Sequence, residues 1–292
     1  RRHAGGLLGF PMVSRKALIA ILSLLMAHSL PRGYLPRFKV RTGPIAGSGA
    51  SLPRGVRSSR TACFARRALR KGESITVMGG GSFGVSMAIA AASNGHHVTM
   101  LVRRQEVVDQ VNQHHSHPRF EGLVLDEKIR ATVSPEEAFG EIDDYAKPAL
   151  LIHAVPVQAS RSFLSKMKPH IPPDVPILSC SKGIELTTLN LMHEIIQETL
   201  GDQDFAVLSG PCFADEMAQT LATGAVVASE QKRVAKDITH LLGSDWLRLY
   251  VSTDVIGVEL GGAIKNVVAL AAGIADGLKL GLNARSGIVT RG

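Results

Sequence analysis

Two lysines stand where a lysine needs a reason. Lys265 lies in GGAIKNVVALAAGIADG, residues 261–277, among Ala, Val, Ile, Leu and Gly, with Asn266 beside it. A helix this apolar is expected to be buried nearly all round, and an ammonium buried without a partner is costly. Lys182 closes the apolar run PILSCSKG, 176–183. A lysine at the end of a strand in an open α/β sheet faces the crevice where ligands bind, and its natural partner there is an anion or a carbonyl. Held against a carbonyl oxygen, an ammonium stabilises the charge that grows as the carbon is reduced and can deliver the proton. The bland alternatives are a snorkelling Lys265 and a solvated Lys182.

Reduction needs a hydride source, and GGGSFG (79–84) points to one. Gly79, Gly81 and Gly84 form G-x-G-x-x-G between an apolar strand candidate and a helical pattern, the context this motif requires. The first glycine permits the tight turn, the second lets a pyrophosphate approach the backbone, and the third packs helix on strand. The helix start supplies free N–H groups to the phosphates, with Gly80, Ser82 and Phe83 lying between the glycines. The next strand runs into Val102-Arg103-Arg104, where a purely NAD-binding chain would carry an acid; Glu106 comes later and is less well placed. Arginine there can hold the extra 2′-phosphate of NADP. NAD(H), NADP(H) or both are the expected cofactors. Further turns follow strand-like runs at Ala154-Val155-Pro156, Ser181-Lys182-Gly183 and the segment 209–214, which holds Gly210, Cys212 and Ala214.

The elements that must position these residues are legible as a pattern. ITVM (75–78), then 85–93 with Val85, Ala88, Ile89 and Ala92 at helical spacing, then HHVTMLV (96–102), make a βαβ unit. Apolar runs at 149–157, 176–183, 205–211, 224–229 and 247–252 read as further strands. They alternate with helical stretches at 107–115, 162–170, 189–200 and 232–243. This predicts a doubly wound α/β sheet of Rossmann type over 74–253. From 254 the strand signal stops, and 254–280 reads as one long helix, the beginning of an all-helical domain over 254–292.

The charge of +8 is concentrated at the start of the chain. No acid precedes Glu73, and 15 of the 33 basic residues do; the remainder carries 18 basic against 25 acidic residues, which argues against a nucleic-acid partner. Residues 1–73 read as a leader. Met12 opens a basic segment, 17–27 (ALIAILSLLMA) is an apolar run too short to span a bilayer, and Ala27-His28-Ser29 is an acceptable cleavage site. An Arg-, Ser-, Gly- and Pro-rich stretch follows. A signal peptide ahead of a transit-like segment predicts delivery to a plastid; the alternatives are the secretory pathway or the cytoplasm. Residues 1–11 would then lie upstream of the start. Cys63, Cys180 and Cys212 make no disulfide framework. His114, His115 and His117, beside Pro118, read as a solvated loop, and no metal is expected.

In GGGSFG, AVP, SKG, SGPxFA and the long segment 261–283, taken in order, residues 74–292 resemble the NAD(P)-dependent glycerol-3-phosphate dehydrogenases. The resemblance implies interconversion of dihydroxyacetone phosphate and sn-glycerol 3-phosphate by hydride transfer, for glycerolipid synthesis. It implies that Lys265 is the acid/base and that Lys182 touches both cofactor and substrate. Asn266 would orient lysine or substrate. Gly210 and Cys212 would touch the substrate, while Ser82, Phe83, Pro156 and Ala214 would line the dinucleotide. Gly261, Gly262 and Gly273 would let the helix approach cofactor and sheet. A homodimer is expected of the full-length protein. The family usually has Ser or Thr where Cys212 stands, which weakens that contact. Family members also continue past the position of Gly292, so the chain is expected to be part of a longer protein, and residues 74–292 alone to be inactive and aggregation-prone. The competing readings are another Lys-Asn dehydrogenase, of the β-hydroxyacid or ketopantoate type, and a non-catalytic NAD(P)-binding redox sensor.

Overall fold

The computed structural model describes residues 72–142 and 146–292. The leader reading, and Cys63 with it, lies outside the described residues. Eight strands form one sheet: β1 (Ser74–Met78), β2 (His97–Leu101), β3 (Ile129–Thr132), β4 (Leu150–His153), β5 (Ile177–Ser179), β6 (Phe205–Ser209), β7 (Thr223–Ala228) and β8 (Leu247–Ser252). Their order is β3-β2-β1-β4-β5-β6-β7-β8, a mostly parallel, Rossmann-like arrangement. Reading outward from β1, the order reverses between β1 and β4, where the two first crossovers part. Such a switch point opens a crevice at the strands' carboxyl ends.

Helices cover both faces. On one side α1 (Ser82–Ser93), α2 (Gln105–His114) and α7 (Lys232–Leu242) pack on Ile75, Val77, Val98, Met100, Leu150 and Ile152. On the other, α3 (Pro135–Phe139), α4 (Val157–Met167) and α5 (Met192–Leu200) pack on Met78, Leu101, Leu151 and Ile177. The alternation along β1 is the period-two signature of a strand buried on both faces. Thr76 shows how a polar group is tolerated there: its hydroxyl donates to Ala138 O at 2.5 Å.

The strand runs read from the sequence each overlap an observed strand, while β3 and two short helices, α3 and α6 (Ala214–Ala218), carried too little pattern to be read. Nor was direction visible: β6 and β7 are antiparallel, so β7 and β8 run against the rest. Residues 210–222 hold only the five-residue α6, which packs on α1 through Met217 in the core, and do not build a full crossover.

After β8 the chain turns helical, with α8 (Val255–Gly277) and α9 (Leu282–Arg291). Asp254 caps α8 by accepting from Gly257 N at 2.8 Å. The expectation that α8 is buried nearly all round is corrected. Only Val255, Glu259, Gly262 and Ala275 are buried, and Ile256, Ile264, Val267 and Leu270 are exposed. The buried positions 255, 259 and 262 repeat at helical spacing, so α8 meets the sheet along one narrow stripe. By length and mean hydropathy, 1.6, α8 could cross a membrane, but Glu259 and Lys265 are both turned onto the sheet unit, as described next.

Candidate active site

The glycine turn is shaped by contacts that exclude side chains. Gly79 has φ +119°, and a Cβ on it would lie 2.6 Å from Ala154 O, at the end of β4. A Cβ on Gly84 would collide with Gly79 O. The turn is thereby folded tightly onto the β4 end, and Gly79 N donates to Leu101 O at 3.0 Å, tying it to β2 as well. Gly81, by contrast, has nothing among the described residues within 4 Å of where its Cβ would stand. Gly81 is also the residue before α1, whose start no side chain caps. Open space against an uncapped helix start fits the pyrophosphate of a dinucleotide.

Next to this turn two ammonium groups converge. Lys182 Nζ donates to Gly210 O at 3.0 Å and lies 5.7 Å from the Phe83 ring. Lys265 Nζ lies 5.8 Å from the Phe213 ring, on the β6–α6 segment. Burial, and after it the charge of Lys265, holds Lys182 below the usual lysine range. Two like charges brought together across a partly desolvated crevice define a place for an anion.

Each lysine is braced from behind. Ser181 Oγ donates to Val155 O at 2.5 Å and lies 3.1 Å from His153 Nδ1, so the β5 loop carrying Lys182 is tied to the β4 loop. With its own proton spent on Val155 O, Ser181 accepts from His153 Nδ1–H, which fixes the tautomer. Beyond Lys182, the buried Glu185 pairs with Arg161 of α4 at 2.8 Å. For Lys265 the brace is Glu259, six residues earlier on α8. Its carboxylate accepts from His193 N at 2.9 Å and pairs with His193 Nδ1 at 2.5 Å. Between the two, Gly262 lets α8 come down on the sheet: a Cβ there would stand 2.7 Å from Ser209 Oγ and 3.6 Å from Lys182 Cγ.

Gly79 to Gly84, Lys182, Gly210, Cys212 and Lys265 thus gather around one crevice. Ala214 joins it through α1, since Ser86 Oγ donates to Ala214 O at 2.7 Å. The other expected residues differ in exposure and contacts. Asn266 lies on the same stripe of α8 as Val255, Glu259 and Gly262, one turn past Gly262, and is exposed. Among the described residues Gly261 and Gly273 have nothing within 4 Å of where a Cβ would stand, so of the three helix glycines only Gly262 makes a close approach to the sheet there. Cys212 is buried, its N–H bonded to Gly210 O and its thiol donating to Gly224 O at 3.8 Å. Burial pushes that thiol's pKa up, against the pull of both lysines. Arg103 and Arg104 are exposed past the end of β2, and Pro156 is exposed at the start of α4. His117 does not lie in a solvated loop: it is 4% exposed. Phe120 and Leu125 anchor its segment in the core and carry it inward. His153, His193 and Glu259 were not singled out from the sequence, and Ser181 and Phe213 stood within the expected turns without a role of their own. Only Glu259 left a signal, an acid in the same apolar helix as Lys265.

The family model for the N-terminal part of NAD-dependent glycerol-3-phosphate dehydrogenase matches residues 74–235, and that for the C-terminal part matches residues 254–292. The chain belongs to this family. Among curated glycerol-3-phosphate dehydrogenases, the chloroplastic NAD(+) enzyme 2 of Arabidopsis thaliana is 42% identical over 229 residues, 77% of this chain and 53% of that protein. The NAD(P)+ enzyme of Myxococcus xanthus is 40% identical over 221 residues, 74% of this chain and 64% of that protein. The crystal structure of the glycerol-3-phosphate dehydrogenase from Coxiella burnetii superposes with a TM-score of 0.68 at 32% identity, covering 75% of this chain and 66% of that one. The chain therefore spans about half to two thirds of the length of these glycerol-3-phosphate dehydrogenases.

Proposed function

We propose that the protein is an NAD(P)-dependent sn-glycerol-3-phosphate dehydrogenase that reduces dihydroxyacetone phosphate for glycerolipid synthesis. The observation that carries this reading is the convergence of Lys182 and Lys265 beside the open glycine turn. When bound, the nicotinamide supplies the hydride that reaches the ketone carbon. Lys265 stabilises the alkoxide forming on the carbonyl oxygen and gives it a proton. Lys182, held by Gly210 O and flanked by Phe83, faces both the dinucleotide and the phosphorylated substrate. The substrate's negative charge relieves the repulsion between the two ammonium groups, which selects a phosphorylated ketone over a neutral one. The turn at 79–84 and the start of α1 hold the pyrophosphate, and Arg103 and Arg104 lie where the adenosine ribose is read.

The test is an assay of the full-length protein with dihydroxyacetone phosphate and NADPH or NADH. Turnover is expected, with none of small 2-keto or 3-hydroxy acids. K265A is expected to lose about 10²–10³-fold or more in kcat. Dinucleotide binding without turnover, indifferent to K265A, would establish the sensor reading instead. Plastid delivery is proposed from the composition of residues 12–73 and is supported by the chloroplastic relatives. A fluorescent fusion of 12–73 that stays in the secretory pathway would refute it.

A further inference from the structure

His117 carries a polar group that the reaction described above leaves unused. Its Nδ1 accepts a hydrogen bond from Arg119 N at 3.3 Å, which puts the ring proton on Nε2. That Nε2–H is buried and has no hydrogen-bond partner among the described residues. A buried donor left unmet is costly and asks for a reason. Its position suggests one. A Cβ on Gly80, inside the glycine turn, would lie 3.9 Å from Nε2 and 2.9 Å from Val102 Cγ1. Val102 is the residue before Arg103-Arg104. The unmet donor therefore sits where the glycine turn meets the end of β2, the place at which a Rossmann unit reads the 2′ position of the adenosine ribose.

The surroundings are those of an anion site. The ring pKa is lowered to about 4, first by burial and then by the positive charges of Arg119 and Arg104. Two arginine charges near enough to act on the ring, beside an unsatisfied N–H, disfavour a cation and suit a phosphate.

We propose that His117 completes, with Arg103 and Arg104, the pocket for the 2′-phosphate of NADPH, its Nε2–H donating to a phosphate oxygen, and so favours NADPH over NADH. The assignment rests on the reading of residues 79–84 as a dinucleotide turn. It adds a residue from the segment after α2 that neither the glycine motif nor the arginine pair predicts.

The experiment is equilibrium binding of NADPH and NADH, separately, to the full-length protein and to H117L, H117N and H117Q. Loss of a hydrogen bond to a charged group is expected to weaken NADPH binding by about tenfold or more in H117L. NADH binding should stay within about twofold, because its hydroxyl carries no charge to lose. H117N places its amide short of the Nε2 position and should behave like H117L. H117Q reaches that position with an N–H and should retain most of the NADPH preference. Equal weakening of both dinucleotides would assign His117 to packing alone and overturn the proposal, as would unchanged binding of NADPH in H117L and H117N. A wild-type protein that binds neither dinucleotide would overturn the reading of the glycine turn, and the assignment with it.

Discussion

Glu259 on α8 binds His193 on α5 twice, through the backbone N–H at 2.9 Å and through ring Nδ1 at 2.5 Å. The first bond satisfies an N–H in the opening turn of α5, and the carboxylate also complements the dipole of that helix. Burial raises the pKa of Glu259, opposed by these same bonds from His193. The pair fixes the start of α8 on the sheet unit and thereby sets where Lys265 arrives. E259A leaves the partly buried His193 without its acceptor, and is expected to cost about 2–4 kcal/mol in a denaturant titration. E259Q keeps an acceptor for the backbone bond and should cost less. A midpoint for E259A indistinguishable from wild type would show that the pair does not hold the helix.

Glycines in α8 are expected to respond differently according to what they face. Gly262 lies against Ser209 and Lys182, whereas Gly261 and Gly273 face open space in the described residues. G262A forces a methyl group to 2.7 Å from Ser209 Oγ, so the serine, the helix or Lys182 must move. A shift of this kind in a catalytic group is expected to lower kcat by about 10²-fold. G261A and G273A gain helix propensity, about 1 kcal/mol each at most, with kcat retained. Equal kcat values for all three variants would contradict the placement of α8.

Much of this site was legible because its groups break a local pattern. Lys265 interrupts an apolar helix, Lys182 ends an apolar strand, and three glycines at fixed spacing open a helix. The supports were not legible because their partners are distant in sequence. Glu259 stands out in its helix, but nothing near it names His193, 66 positions away. His117 looked solvated beside Pro118 and other polar residues, and was drawn inward by Phe120 and Leu125 on the far side of the segment. The direction of β7 depends on how little structure fits between it and β6, and β3 is four residues with an arginine among them. These are tertiary outcomes with no periodicity to announce them.

The glycine turn separates folding from binding. G79A must accept φ +119° and a contact of 2.6 Å with Ala154 O, and G84A collides with Gly79 O. Both are expected to destabilise the protein by about 2 kcal/mol or more. G81A meets no atom of the described residues within 4 Å. It should melt within about 0.5 kcal/mol of wild type, as surface substitutions do. Its methyl group stands in the space assigned to the pyrophosphate, so dinucleotide affinity should fall by about tenfold or more. Undiminished NADH and NADPH binding by G81A would place the dinucleotide elsewhere.

His153 makes the fold sensitive to acid. It is fully buried at the end of β4, and burial lowers its pKa from 6.5 to about 4. Above pH 6.5 the ring is neutral in both folded and unfolded chains and contributes no pH dependence. Between 6.5 and 4 the unfolded chain takes up the proton and the folded one does not, so stability is lost as pH falls through that window. A shift of this size corresponds to about 3 kcal/mol once pH 4 is reached. His96 and His117 are shifted in the same direction and add to the total, so the contribution of His153 is read from a difference. H153L removes the titrating group together with its Nδ1–H bond to Ser181, a loss common to both pH values that cancels in the difference. Unfolding free energies from denaturant titrations at pH 7 and pH 4.5 should therefore differ less in H153L than in wild type, by an amount on the order of 2–3 kcal/mol. An equal acid loss in both proteins would mean that His153 is already protonated, or already exposed, in the folded state.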